Sequence, residues 1–179
     1  MLGNNLTLMK FYYLLHPRPV VAVGSGSIKV GEINFATVSW ITPVSEEPPI
    51  VGFASYKENY TNSLIEKYKQ FSINIIEDIE LLWKVGITSG KEIDKVKEFG
   101  IKVISGKKLD VPIIEDSLGF MECKLTNSLE VGEGIFYIGE VVNWEAKGFG
   151  RYGWEDISRV PMHKGGKAFA FAEKIKIIK

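Results

Sequence analysis

Two short polar segments carry the residue types best suited to binding a flat ligand with an anionic end. In Asn34–Trp40, small residues would let a ring approach the backbone, and hydroxyl and amide groups could hydrogen-bond ring carbonyls or a phosphate. The second segment, Tyr56–Asn62, precedes a predicted helix. Free N–H groups and a partial positive charge at a helix N-terminus favour an anion, and Lys57 adds a full charge. Together the segments predict a ligand site with a phosphate end.

Each segment also has a plainer interpretation. Asn34–Trp40 could be a barrel strand with a polar outer face, and Tyr56–Asn62 could be the capped start of a helix with a solvated Lys57. Only one short predicted strand, Ile50–Tyr56, joins the two segments, so both can lie at the same end of a sheet. This proximity favours the binding interpretation.

Motifs for other chemistries are absent or incomplete. Gly24–Ser27 lacks the third glycine of a dinucleotide fingerprint, because Lys29 stands in its place, and we interpret the segment as a hairpin turn. The chain has two histidines and one cysteine with no ligand spacing between them, so we predict no metal site. No Gly-x-Ser-x-Gly elbow is present, which argues against a hydrolase.

Hydrophobic periodicity predicts many strands with a few short helices between them, in one domain over residues 1–179. Strands are predicted at Pro19–Gly24, Glu32–Val44, Ile50–Tyr56, Phe71–Ile76, Ser117–Leu129, Gly134–Ala146 and Ala168–Ile178, with a hairpin connection at Gly24–Gly31. Helices are predicted from about Thr61 to Lys69, after an Asp78 cap through Val85, and at Lys91–Phe99. The pattern indicates a mainly β barrel with helical insertions.

Charge and cysteine content narrow the function classes. The 22 basic and 22 acidic residues balance, which argues against a nucleic-acid binder. The single cysteine, Cys123, excludes an internal disulfide and is expected to be buried packing in a reducing compartment. No signal peptide or membrane-length apolar run is evident. We therefore expect a cytoplasmic protein that binds neither nucleic acid nor membrane.

A succession of motifs extends along nearly the whole chain. It comprises Pro17–Pro19, Asn34–Trp40, Pro48-Pro49, Lys57, Thr61, Phe71–Ile75, Ser89-Gly90, Asp94-Lys95, Phe136–Val141 and His163–Gly166. In its order and spacing this succession resembles the flavin reductase-like, FMN-binding split-barrel family. Taken alone, Asp94-Lys95 could be only a solvated helix face.

The resemblance implies a six-stranded Greek-key split barrel that forms a homodimer and binds FMN near the subunit interface. It implies a cofactor site in which Asn34, Ala36, Thr37, Val38, Ser39 and Trp40 lie along the isoalloxazine ring and ribityl chain, Lys57, Thr61 and Asn62 hold the phosphate, and Phe35, Tyr56, Asn59 and His163 complete the surroundings. For His163, a purely structural hydrogen bond is the alternative.

The resemblance further implies an NAD(P)H-dependent flavin oxidoreductase that uses NADH or NADPH and passes electrons to a small molecule or a redox protein. The cofactor carries the chemistry, so no catalytic side chain is expected. One departure is Gly132-Glu133-Gly134, where many family reductases carry Gly-Asp-His, whose histidine is linked to nicotinamide handling. The alternatives are a non-enzymatic FMN electron carrier similar to flavoredoxin, a ferric reductase, and a cofactor-free interaction module.

Overall fold

The structure is a computed structural model that describes residues 10–177 of the chain. Its strands are β1 (Arg18–Pro19), β2 (Val21–Ser27), β3 (Glu32–Val38), β4 (Ile41–Ser45), β5 (Ile50–Tyr56), β6 (Gln70–Ile75), β7 (Val103–Ser105), β8 (Pro112–Ile114), β9 (Gly119–Val131), β10 (Gly134–Ala146), β11 (Phe149–Gly150), β12 (Gly153–Trp154), β13 (Met162–Gly165) and β14 (Ala168–Ala170). Its α-helices are α1 (Tyr60–Tyr68), α2 (Ile79–Ile87) and α3 (Lys95–Glu98), and 3-10 helices lie at Phe11–Leu15 and Ile157–Arg159. Within residues 10–177, no helix combines the length and apolarity that a bilayer crossing requires.

One bent segment of chain joins the two edges of the main sheet. Its strand order is β3-β2-β6-β9-β10-β5-β4, and each neighbouring pair is antiparallel. The two edge strands, β3 and β4, are successive halves of the run Glu32–Ser45, which bends at Ser39-Trp40. The Trp40 carbonyl in this bend accepts a hydrogen bond from the Ala54 amide of β5 at 2.8 Å. Because the bent run counts as one long strand, the fold is the predicted mainly β, six-stranded split barrel with short helices.

Two hydrophobic clusters lie on the two faces of β2. Val21 and Val23 face the barrel interior, whose centre is formed by Phe53, Phe71 and Tyr137. Val20 and Ala22 face the opposite side and pack with residues of β3 and α2, among them Phe35, Leu82 and Val85. The alternation follows from the two-residue period of a strand, and it fixes α2 against the outer surface of β3.

Three of the predicted elements differ from the structure. Gly24–Ser27 belongs to buried strand β2 and not to the hairpin connection. Glycine is needed at position 24 for close packing and not for a turn, because a side chain there would overlap Ser72 and the Pro112 carbonyl. The helix predicted at Lys91–Phe99 contains only α3, which begins after the Asp94 cap. The predicted last strand ends at Ala170, and residues 171–177 have no paired partner; its final residue, Ile178, lies outside the described residues.

Candidate functional site

A cavity of about 440 Å³ opens where β3 ends. Three stretches of chain form its wall: Thr37–Trp40 at the end of β3, Ala54–Tyr56 with Asn59 from the β5–α1 corner, and Val131 with residues 133–136 from the β9–β10 turn. The pairing of β5 with β10, which places Phe136 opposite Ala54, brings the last two stretches together. The volume lies in the range of small-molecule sites.

The residues of β3 divide between the cavity and the core. Thr37, Val38, Ser39 and Trp40 line the cavity, and Trp40 keeps 43% of its surface exposed. The Thr37 hydroxyl donates to the Leu82 carbonyl at 2.5 Å, which ties the strand to α2. Phe35 instead places its ring fully inside the outer core. Ala36, between them, is partly buried and does not line the cavity.

The N-terminus of α1 is not capped by its own N-cap residue. Asn59 donates to the Ser55 hydroxyl at 3.0 Å, and its side chain makes no capping hydrogen bond. Thr61, which is buried, accepts a hydrogen bond from the Asn34 amide at 2.8 Å. The Asn34–Thr61 hydrogen bond therefore connects the start of α1 to β3. The first N–H groups of α1 have no side-chain acceptor among the described residues.

Asn62 presents an unused acceptor beside this helix start. Its amide nitrogen donates to the Tyr56 carbonyl at 2.7 Å, which fixes the orientation of the side chain. Its Oδ1 is buried and has no hydrogen-bond partner among the described residues. A buried acceptor without a donor is costly, so a ligand hydroxyl or a water would stabilise it.

Lys57 is close to the predicted phosphate end of the site, but its ammonium group already forms an ion pair with a carboxylate. Its ammonium donates to the Glu130 carboxylate at 2.7 Å, and both side chains are substantially exposed. This hydrogen bond holds the pKa of Glu130 below its usual value. A phosphate would therefore compete with Glu130 for Lys57.

Two residues behind β3 were not among the predicted site residues. A methyl group at Gly90 would overlap the Asn34 side chain and press on the Tyr60 ring, so this glycine lets the loop before α3 approach the start of α1. Lys95 is buried, and its ammonium donates to the Phe35 and Val85 carbonyls, both at 2.9 Å. Burial lowers the pKa of Lys95 to about 8. The solvated interpretation of Lys95 is therefore wrong.

His163 lies at a second cavity of about 230 Å³, on the α2 side of β3. Thr37 and Ser39 line both cavities, so the end of β3 is their common wall. His163 Nε2 lies 3.1 Å from the Gly166 carbonyl, which is the hydrogen bond of the structural alternative. His163 Nδ1 is buried and has no partner among the described residues.

The chain belongs to the flavin reductase-like family, because residues 13–153 match the family model described as "Flavin reductase like domain". It is 32% identical over 163 residues to the uncharacterized protein YddH of Escherichia coli K12, covering 86% of this chain and 85% of YddH. It is 28% identical over 112 residues to the reductase component of a 4-nitrophenol monooxygenase from Rhodococcus opacus, covering 62% of this chain and 57% of that protein.

Solved structures show the same fold. An FMN-binding protein from Thermus thermophilus superposes with a TM-score of 0.86 at 21% identity, covering 100% of this chain and 97% of that one. Flavoredoxin from Methanosarcina acetivorans superposes with a TM-score of 0.80 at 22% identity, covering 99% and 93%. The chain is thus a flavin reductase-like split barrel.

Proposed function

We propose that this protein binds FMN in the 440 Å³ cavity and acts as an NAD(P)H-dependent flavin oxidoreductase. The observation that carries the proposal is the cavity at the end of β3, bordered by the uncapped N-terminus of α1 and the orphan acceptor of Asn62. FMN combines a flat ring, hydroxyls that can donate to Asn62 Oδ1, and a phosphate that suits a helix N-terminus.

The residues present fit FMN in distinct roles. Ser39 and Trp40 would flank the ring, and Thr37 would hold β3 to α2 behind it. Thr61 and Asn34, bonded to each other, would fix the helix start toward the phosphate. Bound FMN would supply the hydride-accepting chemistry, and the protein would supply binding, orientation and electrostatics.

The reductase assignment draws on the Rhodococcus relative, which is itself named a reductase component. In this proposal NADH or NADPH is the electron donor, and a small molecule or a redox protein is the acceptor. No side chain is required as an acid, base or nucleophile, which agrees with a wall that is mostly apolar or uncharged. Glu133 is the one carboxylate on the wall among the described residues.

The turn Gly132-Glu133-Gly134 supports a second candidate, an FMN electron carrier that does not use NAD(P)H efficiently. The resemblance implies Gly-Asp-His in this turn, and Gly134 stands in place of the histidine linked to nicotinamide handling. Glu133 and Gly134 both line the proposed flavin cavity. The fold shared with flavoredoxin is compatible with this role.

We also propose that the protein is a homodimer with FMN near the subunit interface. The support is an exposed set of large apolar side chains on the long β9–β10 hairpin, including Leu129, Val131 and Trp144. Val131 borders the cavity as well, so a partner seated on the hairpin would reach the flavin site. Light scattering of the FMN-loaded protein tests this, and a monomer at micromolar concentration would reject it.

The deciding experiment is anaerobic stopped-flow reduction of the FMN-loaded protein by NADH and by NADPH. Rapid bleaching of the oxidised-flavin absorbance by either nucleotide would support the reductase. Bound flavin that stays oxidised, yet is reduced by a reduced ferredoxin or rubredoxin, would support the carrier. Failure to bind FMN would reject both.

A further inference from the structure

The indole of Trp40 forms part of the wall of the 440 Å³ cavity, at the bend between β3 and β4. The side chain is exposed, so packing inside the barrel does not fix it. An exposed aromatic side chain can occupy several rotamers unless its neighbours select one. The contacts that Trp40 makes outside the barrel therefore decide how this part of the wall faces a ligand.

Two side chains from the N-terminal segment, residues 10–19, contact this indole. The Arg18 guanidinium lies over the Trp40 ring, with its Cζ atom 5.3 Å from the ring centroid. The Tyr12 ring meets the Trp40 ring edge to face, with centroids 5.3 Å apart and an angle of 66° between the planes. Arg18 also lies 5.9 Å from the Tyr12 centroid. Cation–π and edge-to-face contacts are both attractive, so the three side chains form one cluster around the indole.

Arg18 is itself held in place from two directions. Its backbone belongs to β1, where it pairs with His163 of β13. Pro19 follows it, and the residue before a proline is restricted to extended conformations. An Arg18 amino group donates to His16 Nε2 at 2.6 Å. The guanidinium is thus bonded at one edge while its charge lies over a ring of the cavity wall.

The interactions of Arg18 are made with rings and not with carboxylates. Among the described residues, none of the ion pairs includes Arg18, which is half-buried. Burial lowers the pKa of Arg18, but a guanidinium remains protonated in proteins. Burial and the Arg18 charge lower the pKa of His16, so that His16 can accept from Arg18 at neutral pH. The contact with Trp40 therefore persists at neutral pH.

We propose that Arg18 is a positioning residue of the flavin site, which holds the Trp40 indole against the ring of bound FMN. The inference rests on the proposed function, in which Trp40 flanks that ring. A planar guanidinium suits this role better than an ammonium, because it can stack on an indole and donate at its edge at the same time. The N-terminal segment thereby becomes part of the site, although none of its described residues lines the cavity.

FMN titration of Arg18→Met and Arg18→Lys tests the role, with flavin fluorescence as the second readout. A flavin that stacks on an indole loses fluorescence, so the emission of bound FMN reports where Trp40 lies and not only whether the protein is folded. We expect Arg18→Met to bind FMN about threefold more weakly than the wild type and to show brighter bound flavin. Arg18→Lys, which keeps the charge, should recover part of both.

A double-mutant cycle tests whether Arg18 acts through Trp40. Trp40→Leu removes the ring that Arg18 covers. Arg18→Met should weaken FMN binding about threefold when Trp40 is present and leave it nearly unchanged in the Trp40→Leu background, because residues that act through one contact are not additive. The matched control is Arg151→Met. Arg151 lies 5.5 Å from the centroid of the Tyr152 ring, away from the cavity wall, and its loss should change neither affinity nor emission.

The possible outcomes separate this inference from the proposed function. FMN that binds to Arg18→Met with wild-type affinity and wild-type emission would reject the positioning role and leave the flavin site intact. An equal loss of affinity with and without the Trp40 ring would also reject it, because Arg18 would then act by another route. A wild-type protein that binds no FMN would reject both. If Arg18→Met does not fold, Arg18→Gln, which keeps a donor for His16, replaces it under the same criteria.

Discussion

Buried polar groups occur in two contrasting regions of the protein. At Glu122 the chain supplies all the hydrogen-bond partners, whereas around the end of β3 some buried polar atoms have none among the described residues. Glu122, on β9, is fully buried, and its carboxylate accepts hydrogen bonds from the Lys107, Lys108 and Leu109 amides and from the Asn143 side chain at 2.7–2.8 Å. Around the end of β3, by contrast, Asn62 Oδ1 and His163 Nδ1 are buried and have no hydrogen-bond partner among the described residues.

The difference separates a structural site from a binding site. Burial alone would raise the pKa of Glu122, but its four donors outweigh burial and leave that pKa below its usual value. Glu122 thus folds the loop at 107–109 against the barrel and needs nothing further. The buried atoms around β3 receive no such partners from the described residues, which is the physical basis for placing function there.

The largest loss of stability should come from changing Glu122, whose carboxylate has its hydrogen-bond partners within the chain. Glu122→Gln replaces one acceptor oxygen by a donor that faces backbone N–H groups, and we expect a loss of about 3 kcal/mol or more in the free energy of unfolding at pH 7. The loss should shrink in acid, because the contribution of Glu122 disappears as pH falls through its lowered folded-state pKa. Urea unfolding measures both.

Glu145→Gln is the control for this variant. Glu145 forms an ion pair with Lys107 in the same neighbourhood, but its side chain is 42% exposed. It should change stability by no more than about 0.5 kcal/mol. Equal losses in the two variants would contradict the role given to burial.

Lys95 sharpens the comparison, because its ammonium has two hydrogen-bond acceptors but no anion. Its folded-state pKa of about 8 lies below the unfolded value, so the unfolded chain holds a proton that the folded protein releases. Stability relative to Lys95→Met should therefore rise between about pH 8 and pH 10, by up to about 1.4 kcal/mol per pH unit. Denaturant unfolding across this range measures the slope. Lys97→Met, exposed on the same helix, should show no such rise, because the hydrogen bond to Asp94 raises the pKa of Lys97.

A smaller effect is expected at the join between β3 and α1. Thr61→Val removes the acceptor of the buried Asn34 amide, which should cost about 1–2 kcal/mol in stability. FMN affinity should fall with it, because the helix start is no longer held. Thermal unfolding and FMN titration test the variant against Ser63→Ala, an exposed change on the same helix. Unchanged FMN affinity in Thr61→Val would show that the Asn34–Thr61 hydrogen bond does not contribute to FMN binding.

The smallest effects should appear at Lys57 and Glu130, and they should have opposite signs. Glu130→Gln frees Lys57 and should tighten FMN binding by a few-fold, whereas Lys57→Gln should weaken it by a similar factor. Both shifts should diminish as salt is added, because both side chains are exposed. FMN titrations at low and high ionic strength provide the measurement, and shifts in the same direction would place the phosphate elsewhere.

Local patterns predicted much of the fold. The helix at Thr61–Lys69 is α1 to within one residue, and Asp78 caps α2 as expected by accepting from the Leu81 amide. Both elements follow from nearby residues, namely apolar spacing and a cap. Glu32–Val44 was predicted as one long strand. The structure divides this run into β3 and β4, and their pairings with two different strands explain its mixed faces.

The remaining features depend on partners distant in sequence. Nothing local distinguishes buried Lys95 from an exposed lysine, because its acceptors belong to β3 and α2. Ser55, Ile135 and Phe136 entered the cavity wall through the β5–β10 register, which no single segment encodes. Gly24 appeared to mark a turn, but its missing side chain serves close packing against Ser72. His163 was placed near the ligand, but the sequence did not separate the two cavities.

The central claim, that FMN occupies the cavity at the end of β3, is tested most directly by titrating FMN into the wild-type protein and Ala54→Leu. Ala54 lines that cavity, and its backbone amide donates a hydrogen bond to the Trp40 carbonyl. A leucine side chain at this position should therefore fill part of the cavity without removing that backbone hydrogen bond. We predict that FMN at 100 times its Kd stabilises the wild type by about 2.7 kcal/mol, while folded Ala54→Leu binds FMN at least tenfold more weakly. Equal FMN affinity in both proteins, or none in the wild type, would contradict the account.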